Sequence, residues 1–199
     1  MSAKLTLVAA AGLAMIAVIG CNKNSHHEHT TGSMPNTVAP ANSPMAVAKL
    51  SASKNATTQP AFKNVAGEVT FTQIANGVHI VATVTGLEPN KEFGFHIHEK
   101  GDLSAPDLSS AGGHYNPGGM HHGAPSLEGK THAGDLGNLT SDANGIAKKE
   151  IDVPNVSLNG TNNLVGRSVV VHAKADDLKS DPAGNSGPRI AAGVIEMAK

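Results

Sequence analysis

The sequence predicts an all-β fold: an eight-stranded antiparallel Greek-key barrel or sandwich with long interrupting loops. Three observations predict it. Short segments alternate apolar and polar residues with a period near two, as strands with one buried face do. The composition, with 22 Gly, 3% aromatics and no Trp, suits short strands joined by glycine-rich loops better than a helical bundle. Two segments without periodicity, residues 100–132 and 174–188, exceed ordinary connection lengths, and loops of that size are usually functional.

The chain begins with a segment that is not part of this fold. Lys4 precedes a largely apolar run over residues 5–20, too short to span a bilayer comfortably, and the run ends Val18-Ile19-Gly20-Cys21. Residues 1–20 are read as a signal peptide. The ending resembles a bacterial lipobox, in which cleavage before the cysteine precedes lipid attachment to its sulfur, so Cys21 is the expected lipidation site. This places the protein in the cell envelope, lipid-anchored and facing the periplasm or the exterior. Residues 21–44 are rich in Ser, Thr, Asn, Pro and His and read as a flexible tether. Within it, His26, His27 and His29 surround Glu28; a solvated linker is the simpler reading, loose metal capture the alternative.

Residues 45–199 form the expected globular domain. Strands are predicted over residues 46–52, 65–73, 77–87, 92–98, 135–140, 145–153, 169–173 and 190–197, with no convincing helix. In the third, Val78, Ile80, Ala82 and Val84 share one face and His79 and Thr83 the other, so His79 is a surface residue. Asp142-Ala143-Asn144-Gly145 is a hairpin turn signal between the fifth and sixth. The balance of 15 basic and 16 acidic residues offers no basic patch for nucleic acid.

Histidine is the outlier, with 11 residues. His96 and His98 are two apart on a strand, so both imidazoles reach the same side. His172 ends a buried-looking strand and can close on the same ion, with a fourth imidazole from the long loop. Four imidazoles suit copper, which heads the divalent affinity order. The loop offers His114, His122, His132 and Asp135, and three imidazoles with a carboxylate make a closed set suited to zinc. The long loops are therefore metal-binding loops.

A series of segments resembles the copper/zinc superoxide dismutase family: Gly94-Phe95-His96-Ile97-His98-Glu99, Gly112-Gly113-His114-Tyr115-Asn116-Pro117, His122-Gly123-Ala124-Pro125, His132-Ala133-Gly134-Asp135-Leu136-Gly137-Asn138, Val171-His172-Ala173-Lys174-Ala175-Asp176-Asp177-Leu178, and Gly187-Pro188-Arg189-Ile190 with Gly193-Val194-Ile195. The likeness covers residues 45–199 in order. It implies copper ligands at His96, His98, His114 and His172, and zinc ligands at His114, His122, His132 and Asp135, with His114 bridging the two ions. His121 competes with His122, which is preferred because it precedes Gly-x-Pro. Asp176 matches the carboxylate linking a copper ligand to a zinc ligand, and such partners fix ring orientation. Arg189 matches the arginine at the rim of the copper site, where its charge would draw in the superoxide anion. Lys100, Lys130 and Lys179 lie in candidate rim loops. The activity implied is conversion of superoxide to oxygen and hydrogen peroxide by copper redox cycling, protecting the envelope, with His114 as proton carrier; His114 and Arg189 are the catalytic residues.

The sequence departs from the family pattern at one place. The positions matching the usual intrasubunit disulfide are Leu108 and Ala192, and the only cysteine is Cys21, so no disulfide is expected. Such a bridge would contribute roughly 4 to 5 kcal/mol in the chain-entropy model. Its loss puts in question the placing of Arg189 and the family's usual dimer, although a homodimer stays open. The loop carrying His114 must be fixed otherwise, with zinc the leading means. The competing readings are a surface lipoprotein that buffers copper and zinc without turnover, and a purely structural β-domain.

Overall fold

A computed structural model describes residues 42–125 and 130–199. The expected signal peptide, Cys21, and His26, His27 and His29 lie outside the described residues. Among the described residues, no helix is long and apolar enough to cross a membrane.

The strands are β1 (Met45–Ala52), β2 (Ala66–Ile74), β3 (Gly77–Thr85), β4 (Glu92–His98), β5 (Asp135–Thr140), β6 (Ala147–Pro154), β7 (Ser168–His172), β8 (Arg189–Val194) and a two-residue β9 (Glu196–Met197). They pair antiparallel in the order β5-β4-β7-β8-β1-β2-β3-β6, with β9 added to β1. The two outermost strands, β5 and β6, meet at a single bridge, Ser141 to Ala147, which leaves the barrel nearly closed. The all-β, antiparallel expectation is met.

The period-two pattern explains the core. Ala46, Ala48 and Leu50 of β1, Val69 and Phe71 of β2, and Val78, Ile80, Ala82 and Val84 of β3 all point into one buried cluster with Phe93, Phe95, Ile97, Leu136 and Leu139. Sheet closure requires β8 to pass close over β1 at Gly193, where a Cβ would lie 2.3 Å from the Lys49 carbonyl oxygen. His79 is on the outer face, as expected, with Asp152 opposite it on β6.

Three expectations need correction. The turn at residues 142–145 forms, with the Gly145 N–H bonding the Asp142 carbonyl at 3.0 Å, but the strands it joins diverge to opposite edges of the sheet instead of forming a hairpin ladder. The predicted strand over 190–197 breaks at Ile195, whose backbone pairs with Gly166 and Arg167 instead. Short helical turns exist where none was expected. The first, α1 (Lys54–Thr57), is capped by the Ser53 side chain, which accepts from the Ala56 N–H at 3.0 Å; the second is a 3-10 turn over Ser109–Ala111. Both are too short for any apolar periodicity to reveal.

Strands β4 and β7 are buried on both faces. Phe93, Phe95, Ile97, Val169 and Val171 fill the barrel. The alternate residues, His96, His98 and His172, are buried as well, beneath the loops that run between β4 and β5 and between β7 and β8.

Candidate metal centre

The register sets the first group of imidazoles. Adjacent β4 and β7 pair His96 with Val170 and His98 with Ser168, while β7 and β8 set His172 opposite Arg189. His98 Nδ1 donates to the Gly112 carbonyl at 2.9 Å and His172 Nδ1 to the Gly187 carbonyl at 3.0 Å. A neutral ring carries one proton, so both Nε2 atoms are bare, and they face each other at 3.3 Å. His96 donates from Nε2 to Asp176 Oδ2 at 2.8 Å, which leaves its buried Nδ1 without a partner. His114 donates from Nδ1 to Asp135 Oδ1 at 2.8 Å, leaving its buried Nε2 bare. Four unprotonated nitrogens from His96, His98, His114 and His172 thus converge within 4.8 Å of one another. Buried lone pairs turned on each other are costly unless a cation sits among them.

A second group surrounds Asp135 at the start of β5. Its Oδ1 is approached by Nδ1 of His114, His122 and His132 at 2.8, 3.0 and 3.2 Å, three rings on one oxygen. The His132 contact is not aligned as a hydrogen bond, and that nitrogen has no partner. His122 faces carboxylate oxygens from both nitrogens, since its Nε2 lies 2.9 Å from Asp176 Oδ1. A neutral ring satisfies only one of them with a proton. A cation between the Nδ1 atoms and Asp135 resolves both conflicts, and the donor set of three imidazoles and a carboxylate suits zinc. His114 belongs to both groups.

Burial keeps the rings of His96, His98, His114 and His172 neutral and ready as donors. It pushes the His96 pKa well below its ordinary value and lowers that of His98, with the neighbouring His172 and Arg189 adding to it. It lowers His172 to about 4, against the opposing bond to Gly187. His114 is lowered by burial too, with Asp135 pulling the other way. Burial alone would raise the Asp135 carboxyl; the His114 hydrogen bond and the imidazoles of His122 and His132 outweigh it and hold the carboxyl below the usual range.

Asp176 joins the groups, with one oxygen on His96 and the other on His122. It is held by Asn138, a residue to which the sequence reading assigned no role: the Asn138 amide accepts from the Asp176 N–H at 2.7 Å and donates to its carbonyl at 2.9 Å. Gly184 (φ +59°) passes directly over this carboxylate, where a Cβ would sit 1.8 Å from Asp176 Oδ1. His121 points outward with 92% side-chain exposure and pairs with Asp181, so only His122 of the two enters the cluster.

Arg189 is fixed without a disulfide. Its guanidinium donates to the Leu108 carbonyl and, at 2.6 Å, to the Gly112 carbonyl, which also accepts from His98. Leu108 and Ala192, the positions where the family resemblance would place a bridge, pack together with Val170 in a small buried cluster. Apolar contact thus stands where the covalent link would be. Arg167 adds a second brace, its guanidinium 3.5 Å over the ring of Tyr115, the residue after His114. Lys100, Lys130 and Lys179 are exposed.

Fold and site together define a β-barrel metalloprotein with two adjoining donor sets that share one imidazole. The family model described as copper/zinc superoxide dismutase (SODC) matches residues 65–195. A superoxide dismutase [Cu-Zn] of Cordyceps militaris is 46% identical over 142 residues, covering 67% of this chain and 91% of the relative. Superoxide dismutase [Cu-Zn] 2 of Aquifex aeolicus, a bacterial relative, is 43% identical over 136 residues, covering 66% and 79%. A solved structure described as "Crystal Structure Analysis of the clock protein EA4" matches with a TM-score of 0.67 at 41% identity, covering 78% of this chain and 96% of that one. The chain belongs to the copper/zinc superoxide dismutase family. It is an oxidoreductase that dismutates superoxide, with copper and zinc as cofactors.

Proposed function

We propose that this dismutase works at the cell envelope, tethered by lipid on Cys21, with copper held by His96, His98, His114 and His172 and zinc by His114, His122, His132 and Asp135. The observation that carries the assignment of ligands is the His114 ring: one nitrogen is directed at Asp135 and the other is buried with no partner. Lipobox-like Val18-Ile19-Gly20-Cys21 and the polar tether support the location.

Copper, when bound, supplies one-electron exchange with superoxide; zinc has no redox chemistry. The chain's own residues do the rest. Two carbonyls hold the Arg189 guanidinium, and one of them, that of Gly112, also accepts from His98, so a small anion approaching the copper ligands meets a fixed positive charge. His114 Nε2 is a buried nitrogen free to hold a proton, while Nδ1 stays turned toward Asp135 and keeps the ring in place. Asp176 and Asn138 fix the rings of His96 and His122.

The test of the ligand roles is His172→Ala in the metal-loaded protein. Superoxide consumption falls at least about 100-fold, while circular dichroism is unchanged and zinc stays bound at one equivalent; retained turnover would contradict the assignment. For the location, Cys21→Ser releases the protein from the membrane fraction, and mass spectrometry of the native protein finds acyl chains on Cys21; an unmodified thiol on membrane-bound protein would contradict it.

A further inference from the structure

A surface groove runs between α1 and the segment leading into β8. Asn55, Gln59, Asp107, Ser109 and Arg189 line it, and of its lining side chains Arg189 is the cation and Asp107 the anion. The placing of Asp107 follows from the local chain. Its Oδ1 accepts from the Ser109 N–H at 3.0 Å, opening the 3-10 turn over Ser109–Ala111. That turn also presents the Leu108 and Gly112 carbonyls to Arg189. The exposed carboxylate is therefore fixed one residue from a carbonyl that grips the guanidinium.

We propose that Asp107 restrains the approach of small monovalent anions, offsetting part of the attraction of Arg189 and thereby setting how strongly the groove steers them. The proposal rests on the reading of Arg189 as the docking cation. A fixed negative charge beside a fixed positive one converts a monopole into a dipole, whose field reaches less far into solvent. Both groups are solvent-accessible, so the offset is screened at physiological salt, where the Debye length is about 8 Å, and is fully expressed only in dilute buffer. Arg189 in turn helps keep the carboxyl ionised, after the hydrogen bonds from Ser109.

The same loop supplies a control. Asp102 is also exposed and bonds the N–H two residues on, Ser104, at 2.9 Å, but it does not line the groove. In either position asparagine keeps the accepting oxygen and removes only the charge. The experiment uses the full chain loaded with copper and zinc and reads two quantities: the Kd of azide, a small anion probe, from the copper absorption band, and kcat/KM for superoxide against ionic strength.

Asp107→Asn should tighten azide roughly two-fold and raise kcat/KM by a similar factor at low salt, with the gain vanishing near 0.5 M salt. Asp102→Asn should match the unaltered protein. Arg189→Gln should weaken azide at least about ten-fold. An Asp107→Asn protein indistinguishable from Asp102→Asn, with Arg189→Gln weakened as expected, would overturn the role of Asp107 alone. An Arg189→Gln protein with unchanged azide affinity would overturn the docking role and the proposal with it. A gain in Asp107→Asn that survives high salt would also overturn it, because the effect would then not be electrostatic steering.

Discussion

The two donor groups use the same residue type and are held by different means. His96, His98 and His172 project from β4 and β7, strands buried on both faces, and backbone carbonyls or Asp176 fix their ring orientations. His122 and His132 lie in loop segments and gather on one carboxylate, Asp135. The first group is therefore preorganised by the barrel. The second depends on a charge at its centre, so removing that charge or the ion it holds loosens the loop. His114 couples the two, since it is tied to β4 by the bridge to His98 and to Asp135 by its ring.

The largest expected effect breaks the loop group. Asp135→Ala removes a buried carboxylate that also accepts the N–H groups of Gly123 and His132. It should cost about 3–5 kcal/mol and abolish zinc binding at micromolar metal, while copper still binds the strand group; isothermal titration with each metal checks this. Next comes the ion itself. Zinc held at a thousand times its Kd contributes about 4 kcal/mol, equivalent to roughly 8–16 °C in Tm for a domain of this size. Amide exchange on zinc removal should quicken in residues 112–125 and 130–134 before it does in β4 or β7. Equal melting temperatures with and without zinc would erase the contrast between the groups.

A smaller effect probes what replaces the disulfide. Leu108→Ala opens the contact with Val170 and Ala192 and should cost about 2 kcal/mol, with weaker anion binding because the Leu108 carbonyl that holds Arg189 is less well fixed. Denaturant titration and azide affinity report the two parts. The last effect separates the groups by pH in the metal-free protein. The buried rings of His96, His98 and His172 have folded pKa values below the ordinary 6.5. Below 6.5 the unfolded chain takes up protons first, so stability is complete above 6.5 and falls with decreasing pH. Each ring contributes a slope of at most about 1.4 kcal/mol per pH unit, and the loss from His172 ends near pH 4. Asp135 has a depressed value, so its contribution is present above 3.8 and is lost only as pH falls through its folded pKa. Urea unfolding as a function of pH should show a decline that begins below 6.5, to which the loss from Asp135 is added only below 3.8.

How much of this was legible in the sequence follows the same division. The strand group was readable because alternation places residues i and i+2 on one side: His96 and His98 needed only the strand, and the bounds of β4 and β5 fell where the pattern put them. The loop group was readable as a set of available donors, but only the family resemblance said which histidines meet, since nothing in residues 100–132 by themselves chooses between His121 and His122. His121 and His122 are neighbours in sequence, yet one is buried and the other pairs with Asp181 in solvent. The divergence of β5 and β6 after a well-formed turn was hidden, because turn chemistry fixes four residues and not the strands beyond. Asn138 was hidden as well: its function is to hold the backbone of a residue 38 positions away, and no local pattern encodes such a contact. The packing of Leu108 against Ala192 could have been anticipated, because a bridge lost at both ends to apolar residues invites direct contact.

The shared ring of residue 114 is the centre of the account, and magnetic coupling tests it most directly. Protein loaded with Cu(II) at both sites should show the two spins coupled through one imidazolate, with the ordinary low-temperature electron paramagnetic resonance signal largely lost. Two independent Cu(II) signals that add to full intensity would contradict it.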